Sequence, residues 1–148
     1  MHDKDVHDHN SRFEMIAVCD DATLVGHAEA ILNGGTPVEI RQEPTPQLIM
    51  QRVREPVEGR PFNLGEVLVT AAEVAVDGAK GFAMVPGKAE AKAVSGAIVD
   101  AAIEAGHPRS VEIADDLRTA VEEREERRAN EWAESCATAV NFESMEDQ

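Results

Sequence analysis

Large aromatic side chains are scarce in this sequence of 148 residues, which has four Phe, one Trp and no Tyr. Ala and Val carry much of the apolar content instead, so each buried side chain removes little surface from water. Hydrophobic residues still make up 43% of the chain, which is enough for a core and argues against wholesale disorder. We therefore expect a core of modest strength that gains stability from a partner or from the solvent.

Cysteine is also scarce, and long apolar runs are missing. Cys19 and Cys136 lie far apart in the sequence and are expected to be reduced thiols rather than a disulfide. The first ten residues, MHDKDVHDHN, have neither the basic nor the apolar part of a signal peptide. No stretch approaches the roughly 18 consecutive apolar residues that span a bilayer. These features predict a cytoplasmic protein.

Positive charge is outweighed by negative charge. The chain has 29 Asp and Glu residues against 14 Lys and Arg residues, which gives a formal net charge of −15. An acidic surface repels phosphate backbones, so direct nucleic-acid binding is disfavoured. Excess carboxylates, few lysines and small apolar residues are together typical of adaptation to molar salt, which screens charges within about 3 Å. We therefore predict a salt-requiring fold from a halophilic organism.

Helical periodicity occurs near both ends of the chain. It predicts helices at about residues 11–19, from Asp20-Asp21 to about Asn33, at about 88–105 and at about 114–137. Asp20-Asp21 supplies an N-cap for the second helix, and Gly34-Gly35 closes it. The acidic residues 1–10 are expected to form a disordered tail, and residues 11–148 to form one domain.

The middle of the chain is punctuated by proline, which argues against helix there. Extended segments are predicted at about residues 38–43, 47–54, 65–76 and 80–85. The third is rich in Val and apolar on both faces, so it is expected at the centre of the sheet. Asp77-Gly78 predicts a tight hairpin, because both residues of such a turn need positive φ. The fold class is therefore α+β: an antiparallel sheet with a central hairpin, flanked by N-terminal and C-terminal helices.

Two patterns could bind small ligands. His2, His7 and His9 alternate with aspartates and could hold a metal, but a segment without fixed geometry is better interpreted as a solvated tail. Gly87-Lys88 lies at the start of a predicted helix and could hold a phosphate. It lacks the spacing of a P-loop, and a tight strand-to-helix turn explains the same residues.

The patterns expected of a catalytic site are weak. Glu66 and Glu73 lie on one predicted strand, but seven residues separate them by roughly 23 Å. They also fall on opposite faces, so they cannot serve one reaction. No nucleophile has a nearby partner in the sequence, and no C-x-x-C or G-x-G-x-x-G motif occurs.

The last predicted helix has an interrupted apolar stripe. Arg124 and Arg128 lie between the apolar positions near Val121 and Trp132. The pairs Glu123–Arg127 and Arg127–Glu131 have the i,i+4 spacing that would support a solvated helix. Alternatively, the helix docks on another subunit, where Arg and Trp are favoured anchors. Both interpretations stay open at this point.

One set of motifs resembles a known family. Residues 62–70 (FNLGEVLVT) are followed by further matching positions at Asp77-Gly78, Gly81-Phe82, Val85, Gly87 and Asp100-Ala101. This set resembles the PhnG subunit of the carbon–phosphorus lyase system, most densely over residues 62–101. A looser similarity extends to Phe13 and Met15 and to residues 140–145 (VNFESM), where the family reads V-D-F-F-T-M.

The resemblance implies an accessory, structural subunit in a core complex with PhnH, PhnI and PhnJ. In that complex ATP loses adenine and methylphosphonate is joined to the ribose, which gives α-D-ribose 1-methylphosphonate 5-triphosphate. The nucleosidase chemistry is credited to PhnI and the later radical cleavage to PhnJ. ATP is thus a substrate of the complex, and no catalytic, cofactor-binding or metal-binding residue is carried over to this chain.

The sequence departs from the family pattern at two places. Ala71 stands where the family often has Arg, and Lys88, Ala89, Glu90 and Lys92 stand in a segment that tends to read R-D-K-x-H-A-E. The family-motif and interface candidates that we retain are Gly65, Glu66, Thr70, Asp77, Gly78, Gly81, Gly87, Lys88, Arg124, Arg128 and Trp132. The competing hypotheses are a stand-alone phosphate-ligand binding protein or small enzyme that uses Gly87-Lys88, and a scaffold homodimer.

Overall fold

The structure is a computed structural model that describes residues 5–54 and 56–146. Within these residues, four helices and three strands follow one another. They are α1 (His9–Val18), α2 (Asp21–Asn33), β1 (Val38–Arg54), β2 (Pro61–Val76), β3 (Ala79–Pro86), α3 (Glu90–Glu104) and α4 (Ser110–Glu146). The strands form one antiparallel sheet, so the expected α+β class with helices at both ends is confirmed. No described helix is both long enough and apolar enough to cross a membrane.

Aspartates cap the first two helices. The carboxylate of Asp8 accepts a hydrogen bond from the backbone N–H of Ser11 at 3.1 Å, and Asp20 accepts one from Thr23 at 3.3 Å. Each bond satisfies one of the N–H groups that a helix start leaves without a partner. The predicted cap at Asp20 is therefore confirmed, whereas the cap at Asp8 lies in a segment that was expected to be unstructured.

The N-terminal segment differs from the expected tail. Residues 1–4, including His2, lie outside the described residues, but Val6 is fully buried and α1 begins at His9. Val6 joins the same apolar cluster as Met15 and Ile16. The burial of Val6 could not be predicted from the sequence, because a single apolar residue among charged neighbours forms no periodic pattern. The residues that bury it come from distant parts of the chain.

β2 is the central strand of the sheet, with β1 on one side and β3 on the other. The turn between β2 and β3 has φ 50° at Asp77 and φ 87° at Gly78. Positive φ at both positions twists the turn in the same sense as the strands, which confirms the predicted hairpin. The central position of β2 and the turn that follows it are therefore both as predicted from the sequence.

β1 is longer than predicted. It runs without a break from Val38 to Arg54, although Pro44 and Pro46 were expected to separate two short strands. The pairing with β2 shifts between Ile40 and Gln42 and again between Gln42 and Thr45. A strand at the edge of a sheet tolerates proline at such irregularities, because only one of its sides needs to donate hydrogen bonds.

α3 lies close against the sheet. A Cβ atom at Gly81 would overlap the backbone of Ala97 and Ala101, and one at Gly96 would lie 2.6 Å from Cγ2 of Ile16. The helix can approach this closely only because glycine and alanine occupy the contact. The small side chains that make the core modest thus also determine how the helix sits on the strands.

Candidate functional site

A buried polar cluster surrounds Arg12, whose side chain is fully buried in the first helix. Its guanidinium donates to the carboxylates of Asp100 and Glu104 in α3, the second at 2.6 Å, and to the carbonyl oxygen of Val6 at 2.6 Å. Asp100 also accepts a hydrogen bond from the backbone N–H of Phe82 at 2.9 Å. The cluster therefore joins the N-terminal segment, α1, β3 and α3.

The single guanidinium of this cluster is shared between two carboxylates. Although burial opposes the charge of Arg12, its hydrogen bonds to Asp100 and Glu104 raise the pKa of the guanidinium. The hydrogen bond from Arg12 in turn lowers the pKa of Glu104 below its ordinary value. A guanidinium that is this fully engaged has few donors left for a ligand, so the cluster is structural.

A second cluster surrounds His27 in α2. Its Nε2 lies 2.6 Å from Oδ2 of Asp116 in α4, and its Nδ1 accepts from Nε of Arg109 at 2.9 Å. Both ring nitrogens are therefore occupied, which leaves neither one free to take a proton from a substrate in this arrangement. The cluster ties α2 to the start of α4.

The histidine-rich N-terminus does not form a metal centre within the described residues. Nε2 of His9 lies 3.1 Å from Glu104, and its Nδ1 lies 3.2 Å from the guanidinium of Arg12. Within residues 5–54 and 56–146, no group of three or more His, Cys, Asp or Glu side chains could hold a metal ion. His9 thus belongs to the border of the Arg12 cluster.

Thr70 closes the turn that contains Gly87. Its hydroxyl donates to the carbonyl oxygen of Gly87 at 2.6 Å and accepts from the backbone N–H of Ala89 at 3.1 Å. The N–H of Gly87 donates to the carbonyl of Leu68 at 2.8 Å. Two N–H groups of the proposed phosphate site are therefore used internally, while Lys88 is exposed beside them. The geometry favours a tight turn over a phosphate cradle.

The remaining glycine and glutamate candidates lie along the strands. Gly81 allows the close approach of α3, and exposed Gly65, with φ 147°, lies where the pairing of β1 and β2 shifts. Glu66 is paired with Met50, whereas Glu73 is paired with Phe82 and Gln42. The two glutamates are thus in different parts of the sheet, as their separation in sequence predicts.

Part of β2 lies beyond the third strand. β3 pairs only with Val69–Val76, so residues 61–68 pair with β1 alone. We call the two-stranded segment of residues 47–54 and 61–68 the β ribbon; at about 3.3 Å per residue it is about 26 Å long. Leu48 and Met50 are 61% and 51% exposed on it, and Ile49, Phe62 and Leu68 are also exposed. A two-stranded ribbon with this many uncovered apolar side chains is marginal by itself.

α4 also extends beyond the body of the protein. Ile113 and Leu117 are buried in its first turns and Val121 is half-buried, but every side chain described from residue 125 to residue 137 is exposed. We call the stretch after Arg124 the α4 extension. Trp132, the one tryptophan of the chain, is 72% exposed on it. The interrupted apolar stripe of the sequence is thus exposed after Val121 and does not reach the core, as both a solvated helix and a docking helix require.

An open groove lies where α4 passes the end of α1 and the end of β3. It has a volume of about 430 Å³. Its walls are Ala17, Val18 and Pro86, and its charged lining consists of Arg124, Arg127, Arg128 and Glu131. We call it the arginine groove. The predicted pairs Glu123–Arg127 and Arg127–Glu131 do not close: among the described residues, no carboxylate oxygen lies within 4.0 Å of these three guanidinium groups.

The structure thus separates the sequence-derived candidates into three places. Thr70, Asp77, Gly78, Gly81 and Gly87 shape the sheet and its turns, with exposed Lys88 beside the last of them, whereas Gly65 and Glu66 lie in the β ribbon. Arg124 and Arg128 line the arginine groove, and Trp132 follows one turn later on the α4 extension. They do not converge on one pocket.

Sequence reasoning missed the buried polar residues. Arg12, Met15, Ile16 and Cys19 have the i, i+3, i+4, i+7 spacing of one helical face, so Arg12 belongs to an apolar stripe. Asp100 is the one carboxylate within the buried stretch of α3 from Ala97 to Ile103. A charge of each sign on two otherwise apolar faces was the available indication that the two would pair.

Comparison with known proteins identifies the family. None of the curated proteins matches the sequence. A family model described as "Phosphonate metabolism protein PhnG" matches residues 8–146, which is nearly the whole chain. The match includes the β ribbon, the arginine groove and the α4 extension. The chain belongs to the PhnG family, and the family is one of phosphonate metabolism.

Proposed function

We propose that this protein is a non-catalytic, structural subunit of the carbon–phosphorus lyase core complex, assembled in the cytoplasm with PhnH-, PhnI- and PhnJ-type subunits. The complex would make α-D-ribose 1-methylphosphonate 5-triphosphate from ATP and methylphosphonate, as a transferase. ATP is then a substrate of the complex, and this chain binds no cofactor. Membership of the PhnG family supports the general process, and the exposed surfaces support the structural role.

The observation that carries the proposal is the pair of extended elements. The β ribbon presents exposed Leu48, Met50 and Phe62, and the α4 extension presents exposed Trp132. Monomeric proteins seldom leave several large apolar side chains of one element uncovered, whereas subunit interfaces are rich in aromatic residues and Met. The two elements therefore have the character of contact surfaces.

The polar clusters support a structural role for the body of the protein. Arg12 and His27 are buried polar side chains, and both are engaged by partners in neighbouring elements. They connect helices and strands that are distant in sequence. A rigid body that carries two contact elements is what a structural subunit requires.

The proposal is tested by co-expression with the PhnH-, PhnI- and PhnJ-type proteins, followed by purification and gel filtration in high salt. We expect a stable stoichiometric complex on gel filtration, and clean separation of this chain from all three would contradict the proposal. The fluorescence of Trp132 gives a second measurement, since acrylamide should quench it strongly in the isolated chain and weakly in the complex if the α4 extension is covered. The variant Trp132→Phe supplies the background from tryptophans of the partners.

The alternative of a stand-alone phosphate-ligand binding protein is tested on the isolated chain. Calorimetry with ATP and with an alkylphosphonate should show no tight binding, because the turn at Gly87 uses two of its N–H groups internally. Tight binding of either ligand by the chain alone would favour the alternative.

A further inference from the structure

We propose that the arginine groove binds an acidic segment of another subunit, with carboxylates on Arg124, Arg127 and Arg128 and an apolar side chain against Ala17 and Pro86. This inference rests on the proposed function, since it names the chemistry of one contact within that complex. It assigns a binding partner to a surface that the family match leaves without one.

The first argument is local charge. The chain carries a net charge of −15, yet the lining of the groove contains three arginines and a single carboxylate, Glu131. None of the three guanidinium groups has a carboxylate oxygen of the described residues within 4.0 Å. Glu125 and Glu126 lie between these arginines in sequence, and Glu125 lines a neighbouring pocket together with Arg124 and Arg128, but neither carboxylate is within 4.0 Å of a guanidinium group in the described part of the chain. The three guanidinium groups that line this groove are therefore available to carboxylates of a partner.

The second argument is geometry. Arg124 and Arg128 are four residues apart, so they lie on one face of α4. Across the groove from these two arginines lie the apolar residues Ala17, Val18 and Pro86. Guanidinium groups hold carboxylates through two parallel hydrogen bonds, and the apolar walls accommodate the carbon chain between such carboxylates.

The third argument is the direction of the groove. It is open to solvent and follows α4, and Trp132 is exposed one turn beyond Arg128. Trp and Arg are the residue types that most often dominate binding at protein interfaces. A single free anion would use only the arginines, whereas a polypeptide lying along α4 would use the arginines and the tryptophan together. The surface therefore favours a protein segment over a small anion.

Charge reversal provides the first test. We expect Arg124→Glu together with Arg128→Glu to weaken assembly with the PhnH-, PhnI- and PhnJ-type proteins at least tenfold, because acidic groups would then face acidic groups. The matched control is Arg118→Glu, an exposed position on the packed part of the same helix that does not line the groove. Circular dichroism should show equal helix content in all three proteins.

The outcomes separate this inference from the proposed function. If the unchanged chain does not assemble, both proposals are wrong. If it assembles and the double variant assembles equally well, only the arginine groove proposal is overturned. A similar loss with Arg118→Glu also overturns it, because the effect would then reflect total charge rather than the groove.

Cross-linking provides the second test. In the complex, Arg128→Lys keeps the positive charge and introduces an amine, and a carbodiimide activates carboxylates so that this amine attacks and forms an amide, with release of a urea. The native lysines are Lys4, Lys80, Lys88 and Lys92, so the background is small. We expect position 128 to be joined to an Asp or Glu of a partner subunit in mass spectrometry. Cross-links only within its own chain, or none at 128 in an assembled complex, would contradict the proposal.

Discussion

Arg12 and Asp100 are 88 positions apart in sequence, yet their buried side chains form an ion pair between α1 and α3. Asp100 also holds the backbone of Phe82 in β3, and Phe82 stacks on Phe13 with ring centroids 6.1 Å apart. One carboxylate therefore fixes the position of a helix against both a second helix and a strand.

Truncation of this pair should be costly. We expect Arg12→Ala to lower the free energy of unfolding by about 3–5 kcal/mol, because it leaves the buried Asp100 carboxylate without its partner. Urea titration measures the change. The control Arg118→Ala, at an exposed position on α4, should change stability by no more than about 0.5 kcal/mol. Equal effects of the two substitutions would show that the ion pair does not stabilise the fold.

Acid should loosen the same cluster. The hydrogen bond from Arg12 lowers the pKa of Glu104 from its ordinary value of 4.5, so the folded state binds a proton less readily than the unfolded state does. The resulting stability is present above pH 4.5 and is lost as the pH falls below 4.5 and through the folded-state value. Unfolding midpoints between pH 6 and pH 3, measured for the parent protein and Glu104→Gln, should show a shallower acid loss in the variant. Parallel profiles would contradict this.

The two thiols should differ in reactivity. Burial, together with the nearby charge of Asp20, raises the pKa of Cys19 to about 11, whereas Cys136 is exposed on the α4 extension. Because the thiolate is the reactive form, a disulfide reagent at about pH 8 should modify one thiol quickly and the other only as the protein opens. Cys136→Ser should remove the fast phase, and Cys19→Ser the slow one. A fast reaction in Cys136→Ser would be inconsistent with a buried Cys19.

The same thiol predicts a loss of stability in alkali. The pKa of Cys19 is higher in the folded state than its ordinary value of 9.0, so the unfolded state loses its proton first. Stability should be unaffected below about pH 9 and should fall as the pH rises through about 11. Cys19→Ser would be less sensitive over this window in a thermal melt. An unchanged alkaline profile in that variant would assign the loss to other groups.

Two glycines give a matched comparison of backbone packing. We expect Gly81→Ala to lower the free energy of unfolding by about 3 kcal/mol or more, since the new methyl group would overlap the backbone of α3. Gly26 lies in α2 with nothing within 4 Å of its Cβ position, so Gly26→Ala should raise stability by about 0.5–1 kcal/mol. Chemical denaturation measures both, and the same sign for both would contradict the close contact of α3 with β3.

Salt should raise the melting temperature. The net charge of −15 disfavours the compact state, and about 2–3 M KCl reduces the range of that repulsion to a few ångströms. Circular dichroism at low and high KCl tests this, with sucrose as a control that strengthens burial without screening charge. Equal melting temperatures in low and high KCl would show that the acidic composition is not an adaptation to salt.

The local parts of the fold were predictable, because they depend on neighbours in sequence. The cap at Asp20 and the hairpin at Asp77-Gly78 each follow from a few adjacent residues, and both occur as expected. The continuous strand through Pro44 and Pro46 was not predictable, since proline tolerance depends on whether a strand lies at the edge of a sheet. That position is set by tertiary structure.

The candidate surfaces were predictable only in part. The sequence showed that Arg124 and Arg128 interrupt an apolar stripe, but left open whether ion pairs within the helix would satisfy them. That Arg124 and Arg128 line a groove depends on the positions of Ala17, Val18 and Pro86, which belong to elements far away in the sequence. The pairing of Arg12 with Asp100 was indicated only by one charge of each sign on two otherwise apolar helix faces, and the contact itself depends on how α1 and α3 pack.

The α4 extension is a single helix, and a helix changes its length very little under load. From residue 125 to residue 146 it is about 33 Å long, at 1.5 Å per residue. Whatever holds its far end is therefore kept at a set distance from the sheet, and insertion of four residues would displace that holder by about 6 Å and rotate it by about 40° around the helix axis. In this respect the helix serves the protein as a spacer whose length is encoded residue by residue.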